Sequence, residues 1–130
     1  MNARAAGRTA TVVCALVMTS ALTGAVIAAG GDAQAGKQIF QRRCAGCHVS
    51  TPGASGLGPN LNGIIGRKAG SGTSGVHSRA LLEKDLVWNE QTLRKYLSAP
   101  AEQVPGGNMP LVVVDPAEID DVLAYLKTLK

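Results

Sequence analysis

The chain has 130 residues, 13 Lys+Arg against 9 Asp+Glu, and only 3% aromatic residues. That length favours a single domain, and so few large side chains would leave a thin core if protein alone had to fill it. No Lys/Arg-rich run is interleaved with aromatics, so nucleic-acid binding has no support.

The chain opens with Arg4 and Arg8, followed by an apolar run from about Thr9 to Ala29 that contains no charge. A basic start, an apolar stretch and then small residues have the form of a secretory signal. Cleavage near Ala29 or after Ala35 fits the small residues. The earlier position is favoured because the first helix of the domain should begin around Asp32. An uncleaved anchor is the alternative, since the run is just long enough to span a bilayer. Cys14 falls inside the run and Val13 precedes it, which does not suit a lipoprotein. The expected division is residues 1–29 as signal and residues 30–130 as one domain. Without Arg4 and Arg8 the basic residues number eleven against nine acids, a balance of +2.

A first helix is expected from about Asp32, a good N-cap, into the stretch Cys44-Ala45-Gly46-Cys47-His48. Gly36, Phe40 and Cys44 recur on one face. Glycine inside a helix costs up to about 1 kcal/mol against alanine, so Gly36 reads as a place where another helix crosses closely. Two cysteines three apart with a histidine directly after the second form the attachment signature of a c-type haem. Both sulfurs can form thioethers to the porphyrin vinyl groups, and His48 is then held as an axial ligand to iron. A structural zinc site would need more ligands than Cys14 and His77 can add. A thioredoxin-like motif would need a βαβ pattern around it, and a plain disulfide leaves His48 unexplained. The scarcity of aromatics marks the space that a porphyrin would fill.

Residues 49–78 hold half of the 16 glycines and show little periodicity, so they form a long loop. A loop of that length in a small domain usually binds something. Trp88 precedes a short helix with Asn89 as N-cap, Leu93, Tyr96 and Leu97 on one face, and Pro100 ending it. Pro105-Gly106-Gly107-Asn108-Met109-Pro110 is a loop that presents Met109. The last helix has the strongest start signal: Asp115 as N-cap, Pro116 at the first position and Glu118 at the third. Its buried stripe is Ile119, Val122, Leu123 and Leu126. The only β-like run, 111–114, has no evident partner, so the fold class is all-α.

Thioether sulfur is a known axial partner for haem iron and raises its potential. If the second axial ligand is a methionine, Met109 is the only one left after the signal. His77 is the rival, and would give a lower potential.

From Gly31 onward the chain resembles class I cytochromes c, of the mitochondrial and α-proteobacterial soluble type. The matching runs are GDAQAGKQIFQRRCAGCH, GPNLNGIIGRKAG, WNEQTLRKYLSAP, VPGGNMP and DDVLAYLK, in the family's order. The resemblance implies three core helices and long loops around one covalently bound haem c. The first and last helices would cross at Gly36 and Phe40 against Tyr125. It also implies that the Pro59 carbonyl takes the imidazole N–H of His48, that Tyr96 sits beside the Met109 sulfur, and that Trp88 and Arg67 hold a buried propionate. The chain departs from the family at His77, where a propionate-bonding tyrosine is usual, and at Leu81, Gly107 and Leu111. The family's lysine ring is thinned: Arg43 survives, while Ala101, Glu102, Asn108 and Asp115 stand at positions that are usually lysine.

The expected function is a one-electron carrier, not an enzyme. It would be a monomer outside the cytoplasmic membrane, in the periplasm, shuttling between a quinol-cytochrome c reductase and a terminal oxidase or reductase. No small-molecule substrate is expected. The rivals are an electron-accepting haem subunit of a periplasmic dehydrogenase, a membrane-tethered cytochrome c, and a haem enzyme. The last would need an open sixth position with an acid/base group above it.

Overall fold

The computed structural model describes residues 30–72, 74–110 and 115–130. The expected signal over 1–29, Leu111 and the apolar run 111–114 lie outside the described residues.

Five helices follow in order: α1 Ala33–Arg43, α2 Arg79–Leu82, α3 Glu90–Ser98, α4 Pro100–Gln103 and α5 Pro116–Leu126. Among the described residues there is no strand, only an isolated antiparallel bridge between Lys68 and Val87. None of the described helices is long and apolar enough to cross a membrane.

Each long helix starts on a polar side chain that takes an orphan backbone N–H. Asp32 accepts from Gln34, and Asp115 accepts from Ala117 ahead of Pro116. Asn89 accepts from Thr92, whose hydroxyl in turn accepts from the Asn89 N–H, closing a reciprocal cap. Glu118 does not reach back to its own N-cap as its position in the sequence suggests. It pairs with Arg43 of α1 at 3.2 Å, because α1 lies alongside and offers a stronger partner than a backbone amide.

The α1–α5 crossing is set by glycine. A Cβ at Gly36 would collide with the Asp121 carbonyl, so only glycine lets the helices come this close. One turn on, Phe40 packs on Tyr125 with ring centroids 5.3 Å apart. The Asp121 carboxylate accepts from the Asp32 N–H at 2.7 Å, tying the chain's entry into α1 to α5. Helix α3 packs on the same helix, reinforced by ion pairs Arg94–Asp120 and Lys127–Glu90. These are partly exposed, and pairs of that kind contribute about 0–1 kcal/mol each. The shared interior is Ile39, Phe40, Leu93, Leu97, Ile119, Val122, Leu123 and Leu126, all buried.

Helix α1 stops one residue before the cysteine pair rather than running into it. Cys44 is its C-cap, and the N–H groups of Cys44 and Ala45 both go to the Phe40 carbonyl. A tight turn follows, in which Cys47 and His48 both donate to the Cys44 carbonyl at 3.0 and 2.8 Å. The helices α2 and α4 are single turns over residues to which the sequence analysis assigns no element.

Candidate functional site

The three long helices and the loops between them enclose a cavity of about 300 Å³, within the range of cofactor sites. Its walls come from every part of the chain: Cys44, Cys47 and His48 from the turn after α1, Pro59 and Arg67 from the long loop, Trp88 before α3, Tyr96 on α3, and Met109 from the last loop. All eight residues singled out in the sequence therefore meet around one space.

His48 is fixed from behind. Its Nδ1 lies 2.8 Å from the Pro59 carbonyl oxygen. A carbonyl only accepts, so Nδ1 carries the proton and the neutral ring keeps its lone pair on Nε2. Gly58 makes this possible, since a Cβ there would press into the His48 ring. The Gly58 N–H also donates to the Cys47 carbonyl at 2.8 Å, holding the loop under the motif.

Cys44 is buried and Cys47 is exposed, and they are not paired with each other. Burial pushes the Cys44 thiol up to about 11, with Arg43 opposing only in part. A thiol raised by burial in this way lacks the thiolate character of a reactive redox cysteine. No group of three or more His, Cys, Asp or Glu among the described residues could hold a metal ion.

The Lys68–Val87 bridge places Arg67 and Trp88 together. The Trp88 N–H donates to the Arg67 carbonyl at 2.9 Å, and the Gly66 N–H donates to the Trp88 carbonyl at 2.7 Å. The Arg67 guanidinium donates to the carbonyls of Asn60 and Asn62 at 2.5 and 3.1 Å. It is thus stiffened at the cavity wall, and partial burial lowers its pKa. The Trp88 and Tyr96 rings are 5.0 Å apart and tilted. Neither the indole N–H nor the phenol hydroxyl has a hydrogen-bond partner among the described residues. Burial pushes the Tyr96 phenol above its ordinary value. Two unpartnered donors on buried aromatic side chains that line a largely apolar cavity fit a flat prosthetic group that carries its own polar edge.

Met109 is half-buried on the cavity wall. A turn aims it there: Pro105 and Gly106 are the central residues, Gly106 has φ +80, and the Gly107 N–H donates to the Val104 carbonyl at 2.9 Å. Proline followed by a left-handed glycine is the type II pattern. Gly107 is also explained here, because a Cβ would crowd the Val104 carbonyl oxygen. His77, half-buried, and Leu81 also line the cavity.

Sequence reading missed the exposed rim formed by Leu57 and Val76, joined by a 3.0 Å bond from the Val76 N–H to the Leu57 carbonyl. Both are isolated apolar residues in glycine-rich loop, which gives no periodic signal. Gly58 was equally visible only as part of a run.

A small all-α body closed around such a cavity, with a thiol pair at the wall and an oriented imidazole beside it, defines a covalent haem protein. The cytochrome c family model matches residues 33–130. The chain is 40% identical over 102 residues to cytochrome c2 of Rhodoblastus acidophilus, covering 77% of this chain and 94% of that one. It is 43% identical over 101 residues to cytochrome c2 of Agrobacterium tumefaciens, covering 74% and 90%. Cytochrome cH from Methylobacterium extorquens superposes with a TM-score of 0.68 at 40% identity, covering 75% of this chain and 99% of that one. The chain belongs to the cytochrome c family. It is a haem electron carrier rather than an enzyme, and its cofactor is one covalently attached haem c.

Proposed function

We propose that this protein is a periplasmic one-electron shuttle whose iron is held between His48 and Met109. On this reading, residues 1–29 are the signal that exports it, and its partners are a quinol-cytochrome c reductase and a terminal oxidase or reductase. The observation that carries the ligation is that His48, with Nε2 left for iron by the Nδ1–Pro59 bond, lines the same cavity as Met109. The bond to Pro59 also makes the ring a better electron donor.

When bound, the haem supplies the Fe(III)/Fe(II) couple. Every other part of the job belongs to the chain. Cys44 and Cys47 would hold the group by thioethers, Met109 would offer its sulfur to the iron, and the apolar walls would keep water out. Trp88 and Arg67 would hold one propionate, whose buried charge needs donors, and Tyr96 would stand beside the Met109 sulfur. Signal cleavage near residue 29 is supported by Gly31 and Asp32. A Cβ at Gly31 would meet the Asp120 backbone, and Asp32 both caps α1 and bonds Asp121. Cleavage after Ala35 would discard all of these contacts.

The test is Met109→Ala in the matured protein. The ferric wild type should show a sulfur-to-iron charge-transfer band. The variant should lose it and fall in potential, with the haem still covalently bound. A band that survives the substitution would mean that another residue ligates.

A further inference from the structure

The charged and titratable groups that line the cavity are His48, Arg67, Lys68, His77, Tyr96 and the two thiols, with no Asp or Glu among them. A haem would bring two carboxylates, and among the described residues no Asp or Glu of the chain lines the wall they would meet. Among the described lining residues, His77 is the imidazole with no hydrogen-bonded partner, and histidine is the side chain whose ordinary pKa lies nearest neutrality. Its ring is half-buried and so keeps a path to solvent. It rests against Gly72, where a Cβ would lie 3.2 Å from Nε2, and no hydrogen bond to a described residue holds it.

The geometry points to His77 as a proton-exchanging residue whose charge is coupled to the oxidation state of the carrier. Resting on the carrier reading above, the inference adds a proton to the electron: His77 takes one proton from water as the protein accepts one electron from its donor. It returns that proton when the electron leaves. No bond to iron or to the thioethers changes in this exchange. The sign follows from charge: the oxidised centre carries one more positive charge, so it disfavours imidazolium. At an effective dielectric constant of about 20, a unit charge about 10 Å away moves a pKa by roughly one unit.

Other groups near His77 do not supply this response near neutral pH. Arg67 lowers the pKa of His77, as does burial more strongly, but a guanidinium keeps its own charge. Lys68 pairs with exposed Asp85 at 3.4 Å, and Arg79 on α2 pairs with Glu83 at 2.6 Å. Tyr96 on α3 is raised out of range, and Nδ1 of His48 is committed to Pro59. The cofactor's carboxylates are the remaining competitor.

The experiment is a redox titration of the matured protein from about pH 5 to about pH 9, for wild type, His77→Tyr and His77→Phe. It is paired with an NMR titration of the His77 ring in the wild type in both oxidation states. Wild type should show a potential that falls with rising pH across one window and is flat outside it. Total change should be about tenfold in the reduction equilibrium constant, matching a one-unit pKa difference between states. Both variants should be flat across that window. A flat wild type, or equal His77 pKa values in the two states, would overturn the inference. So would variants that keep the wild-type dependence, which would assign the proton to a cofactor carboxylate. The ferric sulfur band is read in the same samples: its absence would remove Met109 as ligand without touching the proton exchange.

Discussion

Gly36→Ala sets two known effects against each other at one atom. Alanine is the better helix former by up to about 1 kcal/mol. Against that, the added Cβ would overlap the Asp121 carbonyl of α5, a backbone group that cannot rotate aside, and would also reach Tyr125. Overpacking of a tight core contact costs about 1–3 kcal/mol, and rigid backbone puts this site at the upper end. The net expectation is about 2 kcal/mol of destabilisation. For a domain of this size each kcal/mol moves Tm by roughly 4–8 °C, so a fall of about 10 °C is expected. Thermal denaturation of the ferric holoprotein measures it. Gln38→Ala, exposed on the same helix, is the control and should stay within about 0.5 kcal/mol. A Gly36→Ala protein as stable as wild type, or more so, would refute the close crossing of α1 and α5.

Gly106→Ala places a side chain at φ +80 and should cost about 1 kcal/mol, and the sulfur band should vanish at lower denaturant concentration than in wild type. An unchanged midpoint for the band would mean that the turn does not position Met109. Tyr96 has a raised pKa from burial. As pH climbs past 10.0, the unfolded phenol ionises while the folded one stays neutral, and stability is lost. Tyr96→Phe should therefore lose less stability between about pH 9 and about pH 11 than wild type does, as read from denaturant midpoints at the two pH values. Association with an acidic oxidase should depend only weakly on salt, because the usual lysines are missing and Arg43 is already paired with Glu118. Stopped-flow rates across ionic strength check this, and a steep fall would contradict it.

Local chemistry made much of the fold legible. Asp115-Pro116 announces α5, Asn89 announces α3 and Asp32 announces α1, since a cap acts within its own turn. The five-residue motif likewise carries its chemistry in its spacing. What stayed hidden is non-local. Glu118 looks like half of a capping box until α1 brings Arg43 alongside. Nothing near Arg67 in sequence shows that it would grip the carbonyls of Asn60 and Asn62, or that a bridge would set it beside Trp88. Helix α1 stops at Arg43 because its last amides converge on the Phe40 carbonyl, which the apolar pattern through Cys44 does not reveal. Gly36 was legible in advance because a glycine inside a helix is costly and so calls for a reason.

Electron carriage by this chain requires a porphyrin joined to Cys44 and Cys47. Mass spectrometry of the matured protein, digested after extraction with acidified organic solvent, tests this directly. The peptide spanning Cys44 to His48 should retain the haem mass, and the extract should be colourless. A coloured extract with an unmodified peptide would contradict the account.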